Sequence, residues 1–521
     1  MSFGKIDILV FIVYGVMIVL FGLYMSREKK GHSKNAADYF LAGKALPWWA
    51  IGASLIASNI SAEQFIGMSG SGYAIGLGIA SYELMGGLTL LVVARFLLPV
   101  FISKGIFTLP QFLEIRYDSR IRTILAVFWV LLYTFVNLTT VLYLSSLALS
   151  VVLGLTVSEA MWGLAAVAVA YSIYGGLKAV AYTDVIQVVF LVFGGLVTTY
   201  LALDAVAEGA GPVAGFKTLL DRAPEKFDLI LSRDNPFYND LPGLSVILGG
   251  LWIANLSYFG CNQYIIQRAL AAKNINEAQK GLAFAGYLKL ILPLIVVIPG
   301  IAAFVLEADL GRYDEAYPWL LSNLVPTGIK GLAFAALIAA ALSSLSSMMN
   351  STATLFTMDL YKPFLKPKAS EAELVNVGRI VGLIAMLIAV LVAQPLLGGQ
   401  EQIFQFIQKY TGYVSPGVVV LFLFGLFWKR TTATAALWSA LASVPLSIAI
   451  DLAFPEMPFL DQMGVVFLGL CGLIVGISYA TSPHPEKAIR LEKALFRTGN
   501  TFNVLAMGVV LILGALYALF W

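Results

Sequence analysis

The stretch ASLIASNISAEQFIGMSGSGYAIG, residues 53–76, decides the fold. It lies in a long apolar run, yet carries Ser54, Ser58, Asn59, Ser61, Glu63 and Gln64, then Gly67, Gly70 and Gly72. Hydrocarbon does not tolerate unpaired polar groups, and irregular backbone survives at membrane depth only where protein or a wet cavity surrounds it. The run is therefore expected to be a broken helix lining a site.

The rest of the chain supplies the membrane. Of 521 residues, 59% are hydrophobic and only 12% charged, with a mean hydropathy of +0.86. Soluble proteins carry about 25% charged residues. Apolar runs recur along the whole length, and the strand-type alternation of a membrane barrel is absent. The net charge of +3 implies no nucleic-acid partner, because membrane proteins keep basic loops on one side. Cys261 and Cys471 both lie in apolar runs and read as buried thiols. The first run, from Ile6 to Met25, lacks a basic leader and reads as a retained span.

A span needs about 20 apolar residues. Fourteen runs qualify, at 6–25, 47–70, 76–102, 122–153, 158–175, 179–203, 243–268, 279–306, 327–358, 376–398, 402–427, 432–453, 459–480 and 501–521. The odd loops hold the basic residues: Arg27, Lys29, Lys30, Lys34 and Lys44, then Lys104, Arg116, Arg120 and Arg122, then Lys178, then Arg268, Lys273 and Lys280. Lys362, Lys366, Lys368 and Arg379 follow, then Lys429 and Arg430, then Lys487, Arg490, Lys493 and Arg497. The even loops are mainly acidic, with Glu307, Asp309, Asp314 and Glu315 against Arg312 in one of them. The positive-inside rule then puts the odd loops in the cytoplasm and both termini outside.

One other run resembles the opening stretch: LGGLWIANLSYFGCNQYIIQ, residues 248–267, with Asn255, Ser257, Asn262 and Gln263. Small and polar residues pack membrane helices closely, and that explains one such run. Two such runs five spans apart, hence in oppositely directed halves, point to an inverted-repeat transporter. The expected repeats are residues 46–203 and 243–427, with 1–45 and 428–521 peripheral, in a single transporter domain over 1–521.

Two charges sit inside runs, Glu83 and Lys289. Each costs about 2.5–3.5 kcal/mol at mid-bilayer unless paired or hydrated. They either lock two helices as a salt bridge or line a polar cavity. Carboxylate accepts, ammonium donates and amides do both, so Glu83, Lys289, Asn59, Gln64, Asn255 and Gln408 make a set suited to sugar hydroxyls. Tyr82, Tyr258 and Phe404 could cover the apolar sugar faces. The ninth run crowds Ser343, Ser344, Ser346, Ser347, Ser351, Thr352 and Thr354 together. Most are expected to bond back to their own helix, while a pair could serve as oxygen ligands to a sodium ion beside carbonyls freed by the first break. Asp184 reads as a waypoint for a departing cation or, equally, as a helix-start cap or partner of a loop Lys or Arg. Lys429 and Arg430 read as an interface anchor, and GRYDEAYPW, residues 311–319, as an outside loop with no site.

Five stretches carry a family resemblance: residues 38–76, 171–189, 262–274, 340–362 and 410–417. They begin with DYFLAGKALPWW and include YSIYGGLKAVAYTDVIQVV, NQYIIQRALAAKN, AALSSLSSMMNSTATLFTMDLYK and YTGYVSPG. The chain resembles the solute:sodium symporter family nearly end to end. The resemblance implies an all-α membrane protein of about 14 transmembrane helices, with a 5+5 inverted-repeat core of the amino-acid and hydantoin carrier type. It implies sodium-coupled uptake of a galactose- or glucose-like hexose. Sugar-contacting positions map onto Asn59, Gln64, Glu83, Asn255, Lys289 and Gln408. Met68, Tyr82 and Phe404 match an outer gate and Tyr258 an inner one. A sodium site maps onto the carbonyls of Ala57, Ile60 and Ala340 and the hydroxyls of Ser343 and Ser344, with Asp184 on the ion's exit route. Glu63 receives no role.

The sequence also departs from the family pattern. Gly86 stands where the pattern has a serine, Phe259 where it has a tryptophan, and the loop holding Asp314 is shorter. The implied setting is a bacterial inner membrane, with sugar, sodium and lipid as partners and no nucleic acid or obligate protein partner. The alternatives are a carrier of another small solute such as myo-inositol, sialic acid or an amino acid, a channel, or a sensor, which would be expected to carry a signalling domain beyond Trp521. An enzyme is disfavoured, because the two histidines, His32 and His484, both fall in loops and no metal-ligand cluster is evident.

Overall fold

The computed structural model describes residues 4–25, 35–61, 63–399 and 403–521. Among the described residues the chain is helical throughout, with one isolated bridge between Leu46 and Ala272. Ten helices are long and apolar enough to cross a membrane, and the pair Ile403–Gly412 and Ser415–Phe427, bent by 47°, makes an eleventh. Large apolar side chains such as Leu391, Val504 and Leu511 face outward. The chain is a multi-pass membrane protein.

The three remaining expected runs also form helix, each with a reason for failing as a plain span. Residues 47–70 become Trp48–Asn59, a break, then Glu63–Met68 and Ser69–Ala74. Residues 243–268 become Leu244–Leu248, Gly250–Asn255, a π-helical turn at Leu256–Gly260, and Gln263–Leu270. The runs at 158–175 and 179–203 form two helical segments within Val157–Val206, which meet at a sharp kink at Gly176, in the gap expected between them. Gly176 has φ of 63°, and an added Cβ would come within 2.9 Å of the Tyr39 carbonyl oxygen, so the bend requires glycine. Its start is set by a capping box in which Thr156 Oγ1 accepts from the Glu159 N–H (3.2 Å) and Glu159 Oε2 from the Thr156 N–H (2.9 Å).

The helix Ile275–Val305 runs beside both halves of the first broken helix. Small residues make that contact possible. A Cβ on Gly52 would come within 2.6 Å of the Gly281 carbonyl oxygen, and one on Gly300 within 2.2 Å of the Ser69 carbonyl oxygen. Such backbone approach is how membrane helices pack without a hydrophobic driving force. The same helix carries Lys289, so the packing that fixes the break also places the cation beside it.

Two charges fasten helix ends. Asp7 is 1% exposed, and its Oδ1 accepts from the N–H groups of Gly328 (2.6 Å) and Gly331 (2.9 Å), tying the first helix to the start of Ile329–Leu355. Arg116, counted above with the loop charges, is buried instead. It donates to the carbonyls of Gly425 (2.8 Å), Trp428 (3.0 Å) and Thr431 (3.1 Å) at the end of Ser415–Phe427. The Gly425 carbonyl is among those a helix end leaves without internal partners. Arg27, Lys29, Lys30, Lys34 and His32 lie outside the described residues.

Candidate functional site

The first break redirects backbone amides. In a continuous helix the Ser61 N–H would bond the Ala57 carbonyl and the Gln64 N–H the Ile60 carbonyl. Here the Ser61 N–H turns to the Asn59 carbonyl (2.9 Å) and to Gln64 Oε1 (3.1 Å), and the Gln64 N–H turns to the Ser61 carbonyl (3.2 Å). The donors of Ala57 and Ile60 are thus drawn elsewhere. Ile60 itself has ψ of 85°, outside the helical range. The second broken helix opens at Asn262, which is extended. Its Oδ1 accepts a short bond from the Tyr133 hydroxyl.

The two breaks and the helices beside them enclose a cavity with about 860 Å³ of empty space, mouth included. Asn59, Gln64, Tyr82, Glu83, Asn255, Tyr258, Lys289, Phe404 and Gln408 all line it. Nine of the expected substrate and gate residues therefore converge, from five stretches of chain. Met68 does not: it is fully buried and absent from the lining. Phe404 packs edge-on against Tyr82, with ring centres 5.4 Å apart.

Inside the cavity, Lys289 donates a short hydrogen bond to Glu83, and both side chains are nearly fully buried. Both readings of these charges hold, since they pair and they line the cavity. Lys289 Nζ also lies 5.0 Å from the centre of the Phe259 ring. Asn59 Nδ2 donates to the Tyr258 hydroxyl (3.1 Å), and that hydroxyl shares a short bond with Tyr264. Buried polar atoms are nearly always paired. Yet Asn59 Oδ1, Asn255 Nδ2, Tyr82 OH and Asn137 Oδ1 have no partner among the described residues. Two acceptors, an amide donor and a hydroxyl left over in one polar cavity suit a ligand rich in hydroxyls.

The two departures from the family pattern meet here. A Cβ on Gly86 would come within 3.0 Å of Phe259 Cε2 and 3.7 Å of Asn255 Oδ1. The glycine makes room for the ring.

The serine-rich helix Ile329–Leu355 presents two kinds of hydroxyl. Ser347, Thr352 and Thr354 bond back to carbonyls one turn earlier. Ser344 Oγ instead donates to the Ser58 carbonyl (3.1 Å), across to the first break, and Ser343 donates a short bond to Asp184 Oδ1. Ala340, one turn before Ser344, is likewise buried. The donor set of Ser343, Ser344, Ala57, Ile60 and Ala340 is all neutral oxygen and fits a weakly held monovalent cation.

Asp184 lies inside the helix Val157–Val206, so it caps no helix start. It is fully buried. Oδ2 accepts from Ser54 Oγ (2.5 Å), and Arg268 NH2 stands 3.9 Å away. Arg268 was counted with the loop charges, but it too is fully buried. In GRYDEAYPW, expected as an outside loop with no site, Asp314 is buried. It is 1% exposed, its Oδ2 accepts from the Ile403 N–H (3.4 Å), and Oδ1 has no partner among the described residues. Burial pushes its carboxyl up to about 8.

Sequence reasoning missed Trp129, Asn137, Thr411 and Ser415 in the lining. Asn137 sits in the π-helical turn Tyr133–Leu138, a lone amide in an apolar run, and that was its available signal. The side chain of Glu63 lies outside the described part of the chain.

Broken helices around a central polar cavity define a secondary transporter. Residues 39–443 match the model of the Sodium:solute symporter family, and the chain belongs to that family. It is 52% identical to the sodium/glucose cotransporter of Vibrio parahaemolyticus, over 99% of this chain and 98% of the relative. It is 36% identical to the human sodium/myo-inositol cotransporter 2, over 85% of this chain and 69% of the relative. Among solved structures, a Na+-coupled sialic acid symporter in an outward-open state matches with a TM-score of 0.80 at 25% identity, over 92% of this chain and 99% of that one. The transporter Mhp1 in a closed conformation shares the fold, with a TM-score of 0.55 over 87% of this chain and 98% of that one.

Proposed function

We propose that this chain takes up a hexose, galactose or glucose in type, driven by inward sodium flow through alternating access. The observation that carries the reading is the polar cavity between the two broken helices. In it the Glu83–Lys289 pair, amides from both broken helices and the Tyr82, Tyr258 and Phe404 rings converge. A solute lacking hydroxyls would leave those groups unpaired and be rejected. The 52% identity to a sodium/glucose cotransporter supports both the sugar and the ion.

In this reading Asn59, Gln64, Glu83, Asn255, Lys289 and Gln408 bind sugar. Tyr82 and Phe404, with Met68 behind them, close the outer side, and Tyr258 closes the inner side. Sodium is held by the Ala57, Ile60 and Ala340 carbonyls and the Ser343 and Ser344 hydroxyls, and leaves past Asp184. It joins the first break to the serine helix and so favours the arrangement that presents Asn59 and Gln64 to sugar. Coupling follows because the ion binds one arrangement better than the other.

The architecture that accompanies this function has fourteen spans, with 46–203 and 243–427 as oppositely directed repeats. Both termini lie outside a bacterial inner membrane. The chain carries solutes and catalyses no reaction.

The experiment is uptake of labelled galactose and glucose by proteoliposomes under an imposed sodium gradient. Uptake that is equal with potassium outside defeats the sodium claim. The human myo-inositol relative and the sialic acid symporter make another small solute the second reading. Unlabelled myo-inositol or sialic acid that competes more strongly than either hexose would install it.

A further inference from the structure

Arg268 has all sides engaged, and its contacts reach both the ion route and the sugar gate. It lies near the end of Gln263–Leu270, the last piece of the second broken helix, and is fully buried. Its Nε donates to Ser54 Oγ (2.9 Å) and to the Ser54 carbonyl (3.2 Å). NH1 makes a short bond to the Tyr264 carbonyl, and NH2 a short bond to Ser347 Oγ. The carboxylate it neutralises, Asp184, stands 3.9 Å from NH2 and receives the Ser54 and Ser343 hydroxyls.

Two features of this geometry matter. At 3.9 Å the guanidinium and carboxylate are an ion pair without a direct hydrogen bond, since charge-assisted bonds of this type run about 2.7–2.9 Å. Ser54 bridges them, accepting from Arg268 and donating to Asp184. A guanidinium attached in this way can yield the carboxylate to another cation while keeping its other contacts. Second, the Tyr264 residue whose carbonyl Arg268 holds also bonds the Tyr258 hydroxyl, and Tyr258 accepts from Asn59. The contacts run unbroken from Ser343 through Asp184, Arg268 and Tyr264 to Tyr258.

We propose that Arg268 is a positioning residue that links the charge on Asp184 to the inner gate at Tyr258. A sodium ion passing Asp184 takes over its neutralisation. Arg268 is then freed to shift with the Gln263–Leu270 segment, and the Tyr264–Tyr258 contact shifts with it. The proposal rests on the sodium–sugar symport reading. It adds a residue that touches neither solute and transmits the presence of one to the gate on the other.

A continuous set of contacts is not in itself coupling, and the measurement must be of coupling. The test is equilibrium binding of labelled galactose to the purified full-length chain, with and without saturating sodium. The ratio of the two dissociation constants is the readout. A coupled wild type gives a ratio of roughly 5 to 150. Arg268→Gln is expected to bring it to about 1, and Arg268→Lys, which keeps the charge and loses the fork, to an intermediate value. Asp184→Asn combined with Arg268→Gln should match Arg268→Gln alone. A purely structural role would weaken binding in both conditions and preserve the ratio. Arg268→Gln with the wild-type ratio overturns the proposal. If Arg268→Gln does not fold, Tyr264→Phe, which cuts the contact to Tyr258, is expected to lower the ratio, and an unchanged ratio there overturns the proposal equally. A wild type whose galactose affinity ignores sodium overturns the symport reading together with this one, which separates the two failures.

Discussion

Asn59 of one broken helix donates to the hydroxyl of Tyr258 of the other, over 3.1 Å. The two interrupted segments therefore touch at the cavity wall, and the amide expected to bind sugar is the same one that touches Tyr258, the proposed inner gate. A sugar that competes for Asn59 loosens Tyr258. Tyr258→Phe removes the competing acceptor, a contact worth about 0.5–1.5 kcal/mol, and should lower the KM for sugar roughly 2- to 12-fold by the same arithmetic. Sodium half-saturation should move less. Sugar and sodium titrations of uptake on the same proteoliposomes decide it.

Lys289 and Glu83 stabilise one another only as a pair. Lys289→Ala leaves a buried carboxylate uncompensated, a loss of about 3–5 kcal/mol, so both thermal stability and uptake should fall. The double variant Lys289→Gln with Glu83→Gln should recover stability and still fail to transport. Recovery of transport along with stability would show that the pair is only a fastening between helices.

Ser344 reaches from the serine helix to the Ser58 carbonyl. Ser344→Ala should raise the sodium concentration for half-maximal uptake several-fold, in keeping with the loss of one oxygen ligand and about 1 kcal/mol of hydrogen bonding. Maximal uptake at saturating sodium should survive. An unchanged sodium titration would remove Ser344 from the ion site.

Asp314 is expected to give uptake a pH dependence. Its carboxyl is raised from 3.8 to about 8 by burial, with Glu315 adding to the shift and Arg312 and the Ile403 N–H opposing it. The buried arrangement therefore holds a proton that an exposed Asp314 would release. Its stability is greatest below about pH 4 and is lost as pH rises toward 8. Wild-type uptake at fixed sodium should fall between pH 6 and 9 relative to Asp314→Asn, which has nothing to titrate. Superimposable pH profiles would contradict the assignment.

Gly86→Ser tests the contact with Phe259. Its Cβ would sit 3.0 Å from Phe259 Cε2, so the ring must move. Overpacking of this kind costs about 1–3 kcal/mol, and the new hydroxyl would reach toward Asn255. Sugar affinity should weaken, and the ratio of galactose to glucose uptake should change. The same change with Phe259→Ala added should be better tolerated than with Phe259 in place.

What the sequence made legible follows from what hydrocarbon forbids. Glu83, Lys289, Asn59, Gln64 and Asn255 stand out because each is costly in an apolar run, and all five line the cavity. Met68 could not be separated from the lining in this way, since an apolar residue carries no such mark. The burial of Arg116 and Arg268 was not legible for a related reason. Arg116 lies between two apolar runs and Arg268 at the end of one, where a basic residue normally signals solvent. Their burial depends on carbonyls and a carboxylate far away in the chain, 309 residues away for Gly425. The break at Gly176 was legible as the gap between two apolar runs, while its packing on the Tyr39 carbonyl of another segment was not.

Arg116 has a consequence for how the chain is made. It leaves the ribosome long before Gly425, Trp428 and Thr431, and none of its three strongest acceptors exists until then. A nascent chain released before residue 425 displays a guanidinium with none of these carbonyls to hold. A product truncated there is chemically distinguishable from a finished one at that spot.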